Sequence, residues 1–154
     1  KEIDVVMYAF GAWTDETLSQ HSTSLKHRCD ILSNTEIRLL VVGGAGSLYT
    51  DFEHTQQLMD GKNFPEMFKP LASNMNKALN ELRDRNDVKW TYISPAADFQ
   101  ADGVRSGNYL LGGEELTLNS HGKSVISYAD YAIAMIDEAE NGQHIQQRIS
   151  VVSA

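Results

Sequence analysis

The stretch LLVVGGAGSLYTD, residues 39–51, runs four apolar residues straight into a turn of Gly43, Gly44, Ala45 and Gly46. A parallel strand covered on both faces reads this way, because burial on two sides removes the polar alternation of a half-exposed strand. Similar runs recur on either side. Residues 3–10 (IDVVMYAF) are apolar and β-branched and stop at Gly11; residues 38–42 lead into the glycine turn. Residues 88–93 (VKWTYI) alternate until Ser94-Pro95 breaks them, and residues 149–152 form a last strand. Helical spacing fills the intervals. Leu18, Leu25, Cys29 and Leu32 keep one face behind a cap at Thr14-Asp15. Pro65 suits a first helical turn, followed by Met67, Leu71, Met75, Leu79 and Leu82. Ser127 caps a helix over residues 129–140, with Ala132, Ile133 and Ile136 expected inward and Gly142 ending it. Residues 47–64 hold no period, and residues 97–123 are rich in Gly, Asn and Ser, with one short strand expected near residues 116–118.

Strands alternating with helices imply βαβ crossovers, and therefore an α/β fold with a mainly parallel sheet. The 154 residues suffice for one domain with a real core. A net charge of -8 argues against nucleic acid, which needs a basic face, and against an anionic membrane surface. No apolar run reaches the length of a membrane span. The single Cys29 excludes an internal disulfide and fits a reducing, cytoplasmic setting.

Ligands on such sheets bind beyond the carboxyl ends of the strands. The loops to inspect are therefore residues 9–13, 43–49 and 94–99, each made of small residues that let a backbone approach a ligand closely. Each also reads as plain turn chemistry. The glycine turn is not a nucleoside-triphosphate loop, since no Lys and then Ser or Thr follow it, and Ser47 lacks the flanking glycines of a hydrolase elbow. The histidines at 21, 27, 54, 121 and 144 show no ligand spacing, so no metal is expected. Asp98 and Asp102 read equally well as surface acids, and Asp130 as a brace for its helix.

Five segments, in order along nearly the whole chain, carry a resemblance: AFGAW (9–13), LLVVGGAGSLY (39–49), WTYISPAADF (90–99), GGEELTLNSHGKSVISYADYAIA (112–134) and QRISVV (147–152). Together they resemble the atypical short-chain dehydrogenase/reductase superfamily, and within it the bacterial NAD(P)H-binding, epimerase-like proteins often called NADH-flavin reductases. The resemblance implies a Rossmann-like, doubly wound sheet and a nicotinamide cofactor, NAD or NADP. It makes residues 3–10 similar to the family's fourth strand, and places GGAGSLY after the fifth, on the substrate side of the nicotinamide. Residues 1–154 then resemble the C-terminal two thirds of the domain, without the first βαβαβ half and its G-x-x-G-x-x-G phosphate loop. Cofactor contacts are implied at Ala9, Phe10, Gly11, Gly43, Gly44, Ser94, Pro95 and Ala96. Ser47 and Tyr49 are the catalytic candidates, each also readable as a loop-ordering or packing residue.

Many superfamily members use a Tyr with Lys four residues on. No Tyr of this chain has one, which leaves Tyr-dependent carbonyl reduction unsupported. The resemblance implies instead an NAD(P)H-dependent oxidoreductase whose small-molecule acceptor, a flavin or a quinone, needs little acid catalysis. The other reading is a catalytically silent, NmrA-like nucleotide-sensing domain. NADH and NADPH are not distinguished. A sheet lacking its first half would leave residues 3–10 as an apolar edge, so self-association through that edge is expected.

Overall fold

A computed structural model describes residues 2–154. Its main sheet holds five strands: β1 (Val5–Tyr8), β2 (Arg38–Val42), β3 (Lys89–Ser94), β5 (Tyr109–Gly112) and β7 (Gln147–Ser153). They lie in the order β1-β2-β3-β7-β5. The first four are parallel in register, with Val41 opposite Tyr8 and Tyr92, and Ile93 opposite Ile149. This is the mainly parallel Rossmann-type sheet that the alternation predicts. β4 (Asp98–Gln100) and β6 (Val125–Ser127) form a separate parallel pair.

Three helices cover the sheet. α1 (Gln20–Leu32) and α2 (Lys69–Arg83) lie on one face, where Leu25, Cys29, Leu79 and Leu82 bury against Leu39, Val41 and Trp90. α3 (Tyr128–Asn141) covers the other, with Tyr131, Ala134 and Met135 packed on Leu40, Ile93 and Ile149. β2, between β1 and β3, is almost fully buried, and its unbroken apolar run follows from having a layer on each side.

Several local expectations are corrected. The first helix starts at Gln20, not at Thr14-Asp15, because the Thr14 carbonyl accepts the amides of Thr17 and Leu18 and closes a separate turn. Pro65 opens a 3-10 turn, Glu66–Phe68, which leaves Met67 exposed; Pro70 occupies the first turn of α2 itself. Residues 116–118 form no strand, though Leu116 donates to the Tyr49 carbonyl; the strands of that region are β4, β5 and β6. β5 pairs antiparallel with β7 through its main chain, and its exposed Leu110 and Leu111 give no alternation to read. On α3, Ala132 and Ile136 face outward. Two acids choose the face instead: Asp130 and Glu138, eight residues apart, are both buried in hydrogen bonds.

Ser127 caps α3 by accepting the Asp130 amide, and Gly142 closes it with φ +60°. Arg38 and Glu138 join β2 to the end of α3 at 2.9 Å, and Glu138 also accepts from the His144 amide. Burial pushes the Glu138 carboxyl up, but the hydrogen bonds from His144 and Arg38 outweigh it and hold the carboxyl below its ordinary value. Among the described residues, no helix is long and apolar enough to cross a membrane.

Candidate functional site: two clefts at the strand ends

The loops after β1 and β2 meet the base of α3 above the carboxyl edge of the sheet. A first cleft there, of about 350 Å³, is lined by Ala9, Phe10, Gly11 and Trp13 after β1, by Gly43 after β2, and by Tyr128 and Tyr131 of α3. A second cleft, of about 200 Å³, lies beyond the glycine turn and is lined by Gly44–Ser47, Phe64 and Phe68. Leu71 and Met75 of α2 border both. Clefts of this combined size, mostly apolar and at this edge of an α/β sheet, are where small-molecule ligands bind.

The glycines of the turn answer a packing demand. A Cβ on Gly43 would lie 2.2 Å from Cε1 of the buried Tyr92 ring. The Gly43 amide donates to the Ile93 carbonyl, extending the β2–β3 ladder, and the Gly44 amide donates to the Tyr92 hydroxyl at 3.1 Å. Gly46 admits the methyl group of Ala72, 2.8 Å from where its own Cβ would be. The turn is thus shaped by contact with β3 and α2, and no helix N-terminus follows it to hold a phosphate.

Beneath the turn lies a buried cation. Arg148 of β7 donates from Nη1 to the Ser47 hydroxyl at 2.9 Å and the Ser94 hydroxyl at 3.2 Å, and from Nη2 to the Ser47 carbonyl at 3.0 Å. Its charge is met by Glu114, 2.7 Å away, which also pairs with Arg83. Burial pushes the Glu114 carboxyl up, but the two arginines outweigh it and hold the carboxyl low. One guanidinium therefore fixes the loop after β2 to the end of β3, and sets where the second cleft's wall stands.

Ala9, Phe10, Gly11 and Gly43 converge on the first cleft, and Gly44 and Ser47 on the second. Ser94, Pro95 and Ala96 are buried and line neither; the Ser94 hydroxyl is engaged by Arg148. Tyr49 lies away from both, stacked on the imidazole of His54 with ring centres 4.4 Å apart. Asp130 accepts from the Ser106 amide and hydroxyl and from the Gly107 amide, bracing the 106–107 loop. Asp98 and Asp102 are exposed, and no cluster of metal-ligating side chains occurs among the described residues.

The structure adds residues that sequence reasoning passed over. Tyr131 donates its hydroxyl to the Ile93 carbonyl at 2.7 Å. Burial pushes that hydroxyl far above its ordinary value, so it stays protonated and tethers α3 to β3. His21 lies against Ala12 and the edge of Phe10 at the cleft's side. Phe99 packs tilted against Tyr128, with ring centres 4.2 Å apart, to form an aromatic rim. Arg148 carried a usable signal: a lone cation inside an apolar strand implies a buried partner.

The lining fits the nicotinamide end of a dinucleotide. It is apolar and aromatic, and a Cβ on Gly11 in its wall would meet the Trp13 ring of the same cleft at 2.5 Å. Among its residues only His21 can carry a charge.

No family model matches the chain. The solved structure of SP1627 from Streptococcus pneumoniae, a candidate NADH-flavin reductase, is 51% identical, with a TM-score of 0.95; the alignment covers 98% of this chain and 72% of that one. The uncharacterised protein YwnB of Bacillus subtilis is 43% identical over 154 residues, covering 99% of this chain and 72% of YwnB. A candidate epimerase from Bacteroides thetaiotaomicron is 37% identical, with a TM-score of 0.83, over 97% of this chain and 67% of its own. On these likenesses, carried through nearly its whole length, the chain belongs to the atypical short-chain dehydrogenase/reductase superfamily, in its NAD(P)-binding, epimerase-like and NADH-flavin reductase group.

Proposed function

We propose that the protein is an NAD(P)H-dependent oxidoreductase that passes reducing equivalents to a small flavin- or quinone-type acceptor. The observation that carries the reading is the pair of neighbouring clefts. Ala9, Phe10, Gly11 and Gly43 wall one and Gly44–Ser47 the other, across a single turn. Leu71 and Met75 border both clefts, so a planar ring seated in each would be a near neighbour of the other, as transfer between them requires. A bound reduced nicotinamide supplies the hydride. The chain's own part is to seat and orient. Phe10 and Tyr128 offer aromatic faces, Leu71 and Met75 exclude water, and Arg148 holds the turn still. Tyr131 and Ser94 spend their hydroxyls on the protein itself and so position rather than react.

The same reading extends to setting and assembly. The buried, unpaired Cys29 supports a reducing, cytoplasmic location. Among the described residues β1 is bonded only to β2, and we assign its free edge to pairing between copies of this chain.

The test is oxidation of NADH and NADPH by the protein with menadione, riboflavin and flavin mononucleotide in turn. Cofactor-dependent turnover on at least one acceptor is expected. Cofactor binding with no turnover on any would select the silent, nucleotide-sensing reading instead.

A further inference from the structure

The second cleft has an unusual balance of groups. No residue that lines it is charged, and its walls are chiefly Leu58, Phe64, Phe68, Leu71 and Met75. A phosphate or ribityl phosphate entering it would lose its hydration with no cation to replace the water. Two side-chain hydroxyls line this apolar space, and that of Ser47 is already engaged by Arg148. Tyr92 lines the cleft, and its hydroxyl oxygen accepts the Gly44 amide at 3.1 Å, but among the described residues its hydrogen is donated to nothing. The side chain is almost wholly buried, at 2% exposure. A buried hydroxyl with an unspent hydrogen is costly unless a ligand takes it.

We propose that the second cleft seats the electron acceptor, and that it takes an uncharged, flat, carbonyl-bearing ring of quinone type, with the Tyr92 hydroxyl donating to a ring carbonyl. This rests on the oxidoreductase reading above and narrows it to one acceptor class. The ring lies between the phenyl groups of Phe64 and Phe68 and the Leu71–Met75 side of α2, and its carbonyl points inward to Tyr92. Burial pushes the Tyr92 hydroxyl above its ordinary value, so it remains a donor at neutral pH. The Gly44 amide polarises that hydroxyl from the other side, which strengthens the bond it gives. Phosphorylated flavins are disfavoured because neither cleft supplies a Lys or Arg.

Isothermal titration of menadione, 2-methylnaphthalene and flavin mononucleotide into this chain, without cofactor, tests the assignment. Menadione should bind more tightly than the mononucleotide. Tyr92→Phe should weaken menadione about five- to tenfold, the worth of one neutral hydrogen bond, and leave 2-methylnaphthalene unchanged. The hydrocarbon separates loss of the carbonyl contact from disorder in the glycine turn, which would weaken both rings alike. Phe68→Lys, at a half-exposed position, should weaken both rings and covers the case in which Tyr92→Phe does not fold. Menadione binding that ignores both substitutions, tighter binding of the mononucleotide, or no menadione binding would overturn the proposal. NADH oxidation measured in parallel keeps the two ideas apart. The expected binding pattern without oxidation removes the oxidoreductase reading and leaves the ring site. Oxidation of NADH by menadione that is indifferent to Tyr92→Phe does the reverse.

Discussion

Gly43 has no freedom to become anything else, and the reason is Tyr92. The ring occupies the space of a side chain at position 43, and both residues are buried between β2 and β3. Gly43→Ala must therefore displace a packed aromatic ring, and overpacking of this kind costs about 1–3 kcal/mol. Thermal denaturation should show that loss, and cofactor titration should weaken with it, because the same turn walls both clefts. Ala45→Ser, in the same turn but without that contact, is the control and should melt like the parent. Gly43 and Gly44 were legible in the sequence as a close-approach turn. What they approach was not, because Tyr92 is 48 residues away and reads locally as an ordinary strand aromatic. Ser94 shows the same limit: a hydroxyl at a strand end resembles a ligand group until Arg148, 54 residues away, is seen to hold it.

At the scale of elements, one set of charges ties α1 to the start of β3. Arg85 pairs with Asp87 at 2.9 Å and with Asp30 of α1 at 2.7 Å, and the Ser33 hydroxyl at the end of α1 donates to Asp87. The bonds from Arg85 and Ser33 hold the Asp87 carboxyl down at about 2. A depressed carboxyl favours the fold at any pH above its unfolded value near 3.8, and that contribution disappears as pH falls from there to about 2. Melting temperature followed across that range should fall more gently in Asp87→Asn than in the parent. The opposite edge of the fold carries a second prediction. Val5 packs on the α3 side of the sheet, so Met7, two residues on, points to the same side; it is 44% exposed. α3 covers β2, β3 and β7 and leaves this end of the layer open. Light scattering at tens of micromolar should show self-association of the chain, and Met7→Lys should return it to a monomer. A monomeric parent would remove the edge-pairing assignment. Apolar spacing located the bodies of α1 and α2, through Leu25, Cys29 and Leu32 in one and Leu79 and Leu82 in the other, but not their starts. It failed on α3, where buried Asp130 and Glu138 set the orientation and Ile136 stays outside; a helix held by polar anchors looks reversed to a reading that counts only apolar residues.

For the whole molecule, the four parallel strands and the mainly parallel α/β class were legible, because alternation of buried strands and helices constrains a sheet to few arrangements. The antiparallel β5 was not, since main-chain pairing alone holds it. The site was legible as a place, three loops at one sheet edge, and only partly as a list of residues, because Tyr92, Arg148 and Tyr131 act across the fold. The proposed function needs a reduced nicotinamide in the first cleft. Trp13 stands on its lip, whereas Trp90 is buried in the core beneath α1 and α2. The direct measurement is energy transfer from tryptophan to reduced nicotinamide as NADH or NADPH is titrated into the chain, repeated with Trp13→Phe. Saturable transfer that falls sharply in the variant is expected. Absence of transfer at any cofactor concentration, or transfer that Trp13→Phe leaves intact, would contradict it.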